Sequence, residues 1–152
     1  MPPIKGQAVG INHKRSLYLV VGFLWLTGMI WLYFQYVAQA RDEFGLQTNP
    51  NQILALKIHG ALGMAFLIVL GSIIYHMIPG WQQKRQRLSG ASLVTICTIL
   101  ILSGWGLYYL GEEHWRHWAS LIHSVLGVLL PAFILFHVWN AQKLKKSKSH
   151  LL

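Results

Sequence analysis

Four stretches of the chain stay apolar for about 20 residues or more, the length that crosses a bilayer as a helix: Leu17 to Val37, Ile53 to Ile78, Ala91 to Leu110 and Trp118 to Val138. The only charge inside them is Lys57. Runs such as FLIVLGSII and SLVTICTILIL are apolar on every side. They show neither the one-sided stripe of a soluble amphipathic helix nor the alternation of a barrel strand. In lipid such a segment is a helix, because a helix satisfies its own backbone polar groups. Asn49-Pro50 can turn the chain and start the second helix, Pro79-Gly80 can end it, and Ser89 is placed to cap the third. The connections are short, so sequential helices are antiparallel neighbours. The pattern predicts an all-α, integral membrane four-helix bundle of up-down-up-down topology. It forms a single domain over residues 1–152 with a basic tail at 139–152.

Charge orients the bundle. The chain carries 13 Lys and Arg against 4 Asp and Glu, a formal net charge of +9. Ten of the basic residues lie in three segments: Lys5, Lys14 and Arg15; Lys84, Arg85 and Arg87; and Lys143, Lys145, Lys146 and Lys148. Those segments share one side of the predicted bundle, and all four acids (Asp42, Glu43, Glu112, Glu113) fall in the two loops on the other side. The positive-inside bias makes the basic side cytoplasmic and places both termini there. Topology thus accounts for the positive charge with no nucleic-acid partner, and the Lys-rich tail reads as an anchor at the lipid surface. With 54% hydrophobic residues, 11% charged residues and one Cys, a disordered polyelectrolyte and a disulfide-stapled domain are both excluded. Ala38-Gln39-Ala40 looks like a signal-peptidase site, but the apolar stretch before it exceeds the roughly 7–15 residues of a signal core, so helix 1 is expected to be retained.

Histidine placement carries the chemistry. His59 and His76 fall in the second apolar block and His123 and His137 in the fourth, whereas the first and third blocks have none. Ionisable side chains inside membrane spans are costly and face the bundle interior, where they pair, relay protons or bind a ligand. His59 and His123 lie near the outer ends of their spans, and His76 and His137 near the inner ends. His123 and His137 are 14 residues apart, two whole heptads, and therefore share a stripe. His59 and His76 are 17 apart, which leaves the two rings about 100° apart on a straight helix. In a left-handed bundle the same spacing is the offset between two core-facing positions. His13, at the inner edge of helix 1, rivals His76, which is preferred because His13 lies outside the apolar span. His114, His117 and His150 read as solvated or interfacial.

The segments around the outer histidines repeat: Ile58-His59-Gly60-Ala61-Leu62-Gly63 matches Ile122-His123-Ser124-Val125-Leu126-Gly127, both I-H-x-x-L-G. The helices before them share Leu26-Thr27-Gly28 and Leu102-Ser103-Gly104, as two copies of a helix pair would. Gly63 and Gly127, four residues after a histidine, lie on the same face and let a large flat group approach the backbone. Two histidine pairs in apolar slots suit two b haems with bis-histidine ligation, His59 with His123 and His76 with His137. Ala55, Ser72 and Ala119, each four residues before a proposed ligand, leave room for an acceptor of the other ring nitrogen. Lys57, Arg116, Lys84, Arg85 and Arg87 are candidate partners of the propionates. Lone Cys97 cannot make a C-x-x-C-H haem attachment motif.

In its four short helices, its I-H-x-x-L-G segment at His59 and its 14-residue pair His123 and His137, the chain resembles the di-haem b-type membrane cytochromes of the cytochrome b561 superfamily. These include formate dehydrogenase gamma subunits and the cytochrome b subunits of Ni-Fe hydrogenases. The resemblance implies an electron-transfer subunit of an oxidoreductase complex in the bacterial inner (plasma) membrane. It would pass electrons across that membrane or between the quinone pool and an extrinsic or membrane redox subunit. Several members of these families take the inner ligand from the start of helix 1, which here is His13. Two other readings remain at this point: a quinone or oxygen-species oxidoreductase using the same haems, and a haem-free membrane scaffold.

Overall fold

The computed structural model describes residues 11–43, 45–82 and 87–149, with side chains at 12–39, 43, 45, 47–72 and 88–143. Four helices dominate: α1 (Ile11–Tyr36), α2 (Pro50–Gln82), α3 (Arg87–Tyr109) and α4 (Glu113–Ser149). Each contains a segment long and apolar enough to cross a membrane: Asn12–Tyr36, Pro50–Ser72, Leu88–Tyr109 and Glu113–Lys143. Ile68 is 75% exposed and Leu135 69%. In water each such side chain would forgo about 1.5–3 kcal/mol of burial, whereas hydrocarbon exacts no such penalty. The chain is a multi-pass membrane protein whose apolar surface is suited to lipid.

The helix starts follow capping rules. The Asn49 side-chain oxygen accepts the Asn51 N–H at 2.9 Å, and its carbonyl accepts the Gln52 N–H at 2.9 Å. Pro50 then occupies the first helical position, where its missing N–H costs nothing. At α4, Glu113 lies in the first turn, favoured by the helix dipole, and the Glu112 carbonyl accepts the Arg116 N–H at 3.1 Å. The helix ends differ from the expected limits. Pro79-Gly80 does not end α2, which continues to Gln82, and α4 runs on through the basic tail to Ser149. Pro79 leaves the Tyr75 carbonyl without its helical N–H, yet the helix runs on past it, and Gln and Lys are good helix formers, so apolar counting underestimates both helices. Pro131 lies inside α4, where it has no N–H to give the Gly127 carbonyl.

The connection after α1 contains an element that the hydrophobic pattern did not predict. Strands β1 (Ala40–Asp42) and β2 (Gly45–Gln47) pair antiparallel, with Ala40 opposite Gln47 and Asp42 opposite Gly45. Gly45 has φ of 110°, a conformation closed to most side chains, and permits the reversal. Three-residue strands are too short to leave a periodic signal.

The chain divides into two compact units at Pro79/Gly80. In the first, α1 and α2 run antiparallel, since Gln35 meets Gln52 while Thr27 meets His59. Gln52 is the buried polar side chain among the described residues; its Nε2 donates to Gln35 Oε1, and Gln39 Nε2 donates to the Gln35 carbonyl at 2.8 Å. An amide withdrawn from water needs such a partner. In the second unit, α3 and α4 are antiparallel, Ser103 meeting His123 and Ser89 meeting His137. Glycines bring them close: a Cβ built at Gly127 would stand 3.9 Å from Leu100 Cδ2, and one at Gly106 would stand 3.9 Å from Ala119 Cβ.

Candidate functional site

His59 lies on α2 with its ring turned toward α1. Its Nδ1 is 3.1 Å from Thr27 Oγ1, and it also hydrogen-bonds the Leu24 backbone. The Thr27 hydroxyl lies 2.9 Å from the Phe23 carbonyl and 3.0 Å from the Leu24 carbonyl, to which it donates. The ring edge reaches the α1 backbone because the next residue is glycine. A Cβ built at Gly28 would stand 3.2 Å from His59 Cε1 and 3.5 Å from Nδ1.

The second unit repeats this arrangement. His123 Nδ1 lies 3.0 Å from Ser103 Oγ and 3.1 Å from the Leu100 carbonyl, and Ser103 Oγ donates to the same carbonyl at 3.2 Å. A Cβ at Gly104 would stand 3.1 Å from His123 Cε1 and 3.5 Å from Nδ1. A carbonyl oxygen only accepts, so the Leu100 contact puts the hydrogen on Nδ1. In the neutral ring Nε2 then carries the lone pair. Thr27-Gly28 and Ser103-Gly104 are thus equivalent in contact as well as in sequence.

His137 is held by a looser version of the same device. Its Nδ1 is 3.2 Å from Ser89 Oγ, and a Cβ at Gly90 would stand 3.9 Å from its Cε1. Ser89 therefore lies within the first turn of α3 facing His137, rather than ahead of the helix as its cap. Ser89-Gly90 and Ser103-Gly104 are 14 residues apart, as are His123 and His137. Antiparallel helices with equal spacings bring both pairs into register.

In the first unit, His13 stands 14 residues before Thr27, as Ser89 stands before Ser103. His13 is exposed and, with Asn12 and Ser16 of α1 and Ile68, Val69 and Ser72 of α2, lines a cleft of about 350 Å³. The backbone of His76 is helical, but its side chain lies outside the described residues. The same holds for Arg87, and Lys84, Arg85 and His150 are outside the description altogether. Lys57 and Arg116 are exposed, as are His114 and His117, whose rings meet Trp118 edge-on. Among the described residues, no three His, Cys, Asp or Glu side chains converge.

One expectation about supporting residues changes. The partner of Nδ1 comes from the preceding helix rather than from Ala55 or Ala119 four residues back, because carbonyls within a helix point along its axis and are already paired. The Ser72 hydroxyl donates to the Val69 carbonyl at 2.7 Å. Gly127 contributes to α3–α4 packing, while Gly63 opens on space, with no other side chain within 4 Å of a built Cβ. Ser89-Gly90 was the missed signal: a third hydroxyl–glycine pair, set 14 residues from the second. No family model, curated protein or solved structure matches the chain.

Proposed function

We propose that the chain is a di-haem b-type cytochrome of the cytochrome b561 kind, an electron-transfer subunit of the bacterial inner membrane with both termini cytoplasmic. The observation that supports it best is the repeated fixing of His59 and His123 through Nδ1, the arrangement that axial histidines use to orient the ring toward a metal at Nε2. An iron porphyrin asks the protein only for axial ligands, so single histidines on different helices suit it. His59 and His123 would ligate the outer haem, and His137 one side of the inner haem. The fourth ligand is His13 or His76. His13 occupies on α1 the position that Ser89 occupies on α3, and His76 lies within the apolar block of α2. When bound, haem supplies one-electron exchange between ferric and ferrous iron. The protein supplies ring orientation and an apolar, water-poor surround that tunes the potential. Electrons would pass across the membrane, or between quinone and a redox partner subunit.

The test is a pyridine haemochrome assay on the detergent-purified full chain, expressed with ample haem. Two b haems per chain are expected; a helical chain that binds none overturns the reading. His137→Ala is expected to remove one haem; the same loss in His76→Ala assigns His76 as the fourth ligand, and the same loss in His13→Ala assigns His13.

Orientation is tested separately in a Cys97→Ser background. Cysteines introduced at Glu43 or Glu113 are expected to react with an impermeant maleimide on intact cells, whereas one at Lys148 reacts only after permeabilisation. Labelling of Lys148→Cys on intact cells would invert the topology.

A further inference from the structure

We propose that Thr27-Gly28 and Ser103-Gly104 are positioning pairs that hold His59 and His123 in the Nδ1–H tautomer and lower the reduction potential of the haem those rings ligate. The potential part of this inference rests on the cytochrome reading above; the tautomer part does not. At His123, the Nδ1–H is shared between the Leu100 carbonyl and Ser103 Oγ, while the Ser103 hydroxyl donates to that same carbonyl. The serine therefore offers its lone pair to the ring and cannot at the same time donate to it. Thr27, donating to its own helix through Phe23 or Leu24, does the same for His59. Glycine at the next position is what allows this closeness, since a Cβ there would fall 3.1–3.2 Å from the ring. Each pair thus has one residue that admits the ring and one that accepts its proton.

Accepting from Nδ1–H makes the imidazole a stronger electron donor at Nε2, which favours ferric over ferrous iron. Ser103→Ala removes one of the two acceptors and leaves the carbonyl. The expected result is retention of both haems with the ferric–ferrous equilibrium of one of them moved about fivefold toward the reduced form, as expected for one hydrogen bond. Ser103→Thr, which keeps the hydroxyl, restores the original potential. Thr27→Ala is expected to shift the haem that His59 ligates in the same direction, and Thr27→Ser to restore it. A redox titration of Ser103→Ala that retains both haems at unchanged potentials would overturn the proposal.

The second readout is ¹⁵N NMR of histidine-labelled, haem-free protein. His59 and His123 are expected as neutral Nδ1–H tautomers, and Nε2–H tautomers would overturn the proposal without reference to haem. A chain that binds no haem defeats the cytochrome reading alone, and the NMR result then decides the tautomer.

Discussion

If the chain is the di-haem cytochrome proposed above, replacing either His59 or His123 with alanine is expected to lower the haem content from two per chain to one, with the same spectral component lost in both variants. A bis-histidine haem has one ligand on each face, so removing either leaves iron that cannot remain low-spin with two imidazoles. The double variant is expected to lose no more than each single, because two residues that act as one unit are strongly non-additive. His114→Ala, which alters an exposed ring beside Trp115 and Trp118, is expected to keep both haems. Haemochrome stoichiometry with reduced-minus-oxidised spectra makes the measurement. Loss of different components in the two single variants would show that His59 and His123 do not share a haem.

Gly104→Ala is expected to weaken haem retention by about tenfold or more, although it adds only a methyl group. The new Cβ would stand 3.1 Å from His123 Cε1, so the ring has to retreat by a few tenths of an ångström. Its Nδ1 is fixed to Ser103 and Leu100, and the retreat stretches those contacts. Overpacking of this kind costs about 1–3 kcal/mol, enough for such a loss. Gly28→Ala is expected to behave alike, its Cβ falling 3.2 Å from His59 Cε1. Gly90→Ala is the control: the corresponding distance to His137 is 3.9 Å, an ordinary contact, and helix propensity favours alanine by about 1 kcal/mol. Haem dissociation measured by transfer to apomyoglobin checks all three. Equal effects at Gly104 and Gly90 would exclude ring displacement as the cause.

The spans were legible because lipid imposes the strongest constraint in the sequence: about 20 uninterrupted apolar residues per crossing. The start of α2 at Asn49-Pro50 was legible for a similar reason, a local rule acting on local residues. The true ends of α2 and α4 were not, because Pro79-Gly80 and the lysine tail signal an apolar boundary without requiring a helical one. Among site residues, the histidines stood out as polar groups in apolar surroundings. Their supports did not, since Ser, Thr and Gly are ordinary residues of membrane helices and acquire meaning only when an antiparallel neighbour brings them opposite a ring. The shared Thr27-Gly28 and Ser103-Gly104 signature was visible as a repeat, but its contact with His59 and His123 required the hairpins themselves. The Gln35–Gln52 bond was hidden for the same reason, each amide lying near the end of an apolar block where polar residues are common.

The continuity of α4 through its basic end has a mechanical consequence. At about 1.5 Å per residue, its 37 residues make a rod some 55 Å long, well beyond the hydrocarbon thickness of a bilayer. Lys143 lies 3.7 Å over the Trp139 ring, tying charge to an aromatic less than two turns from His137. No loop intervenes to absorb motion between the lysines and that histidine. Rotation of the basic end about the helix axis and the aim of the His137 imidazole are therefore one motion.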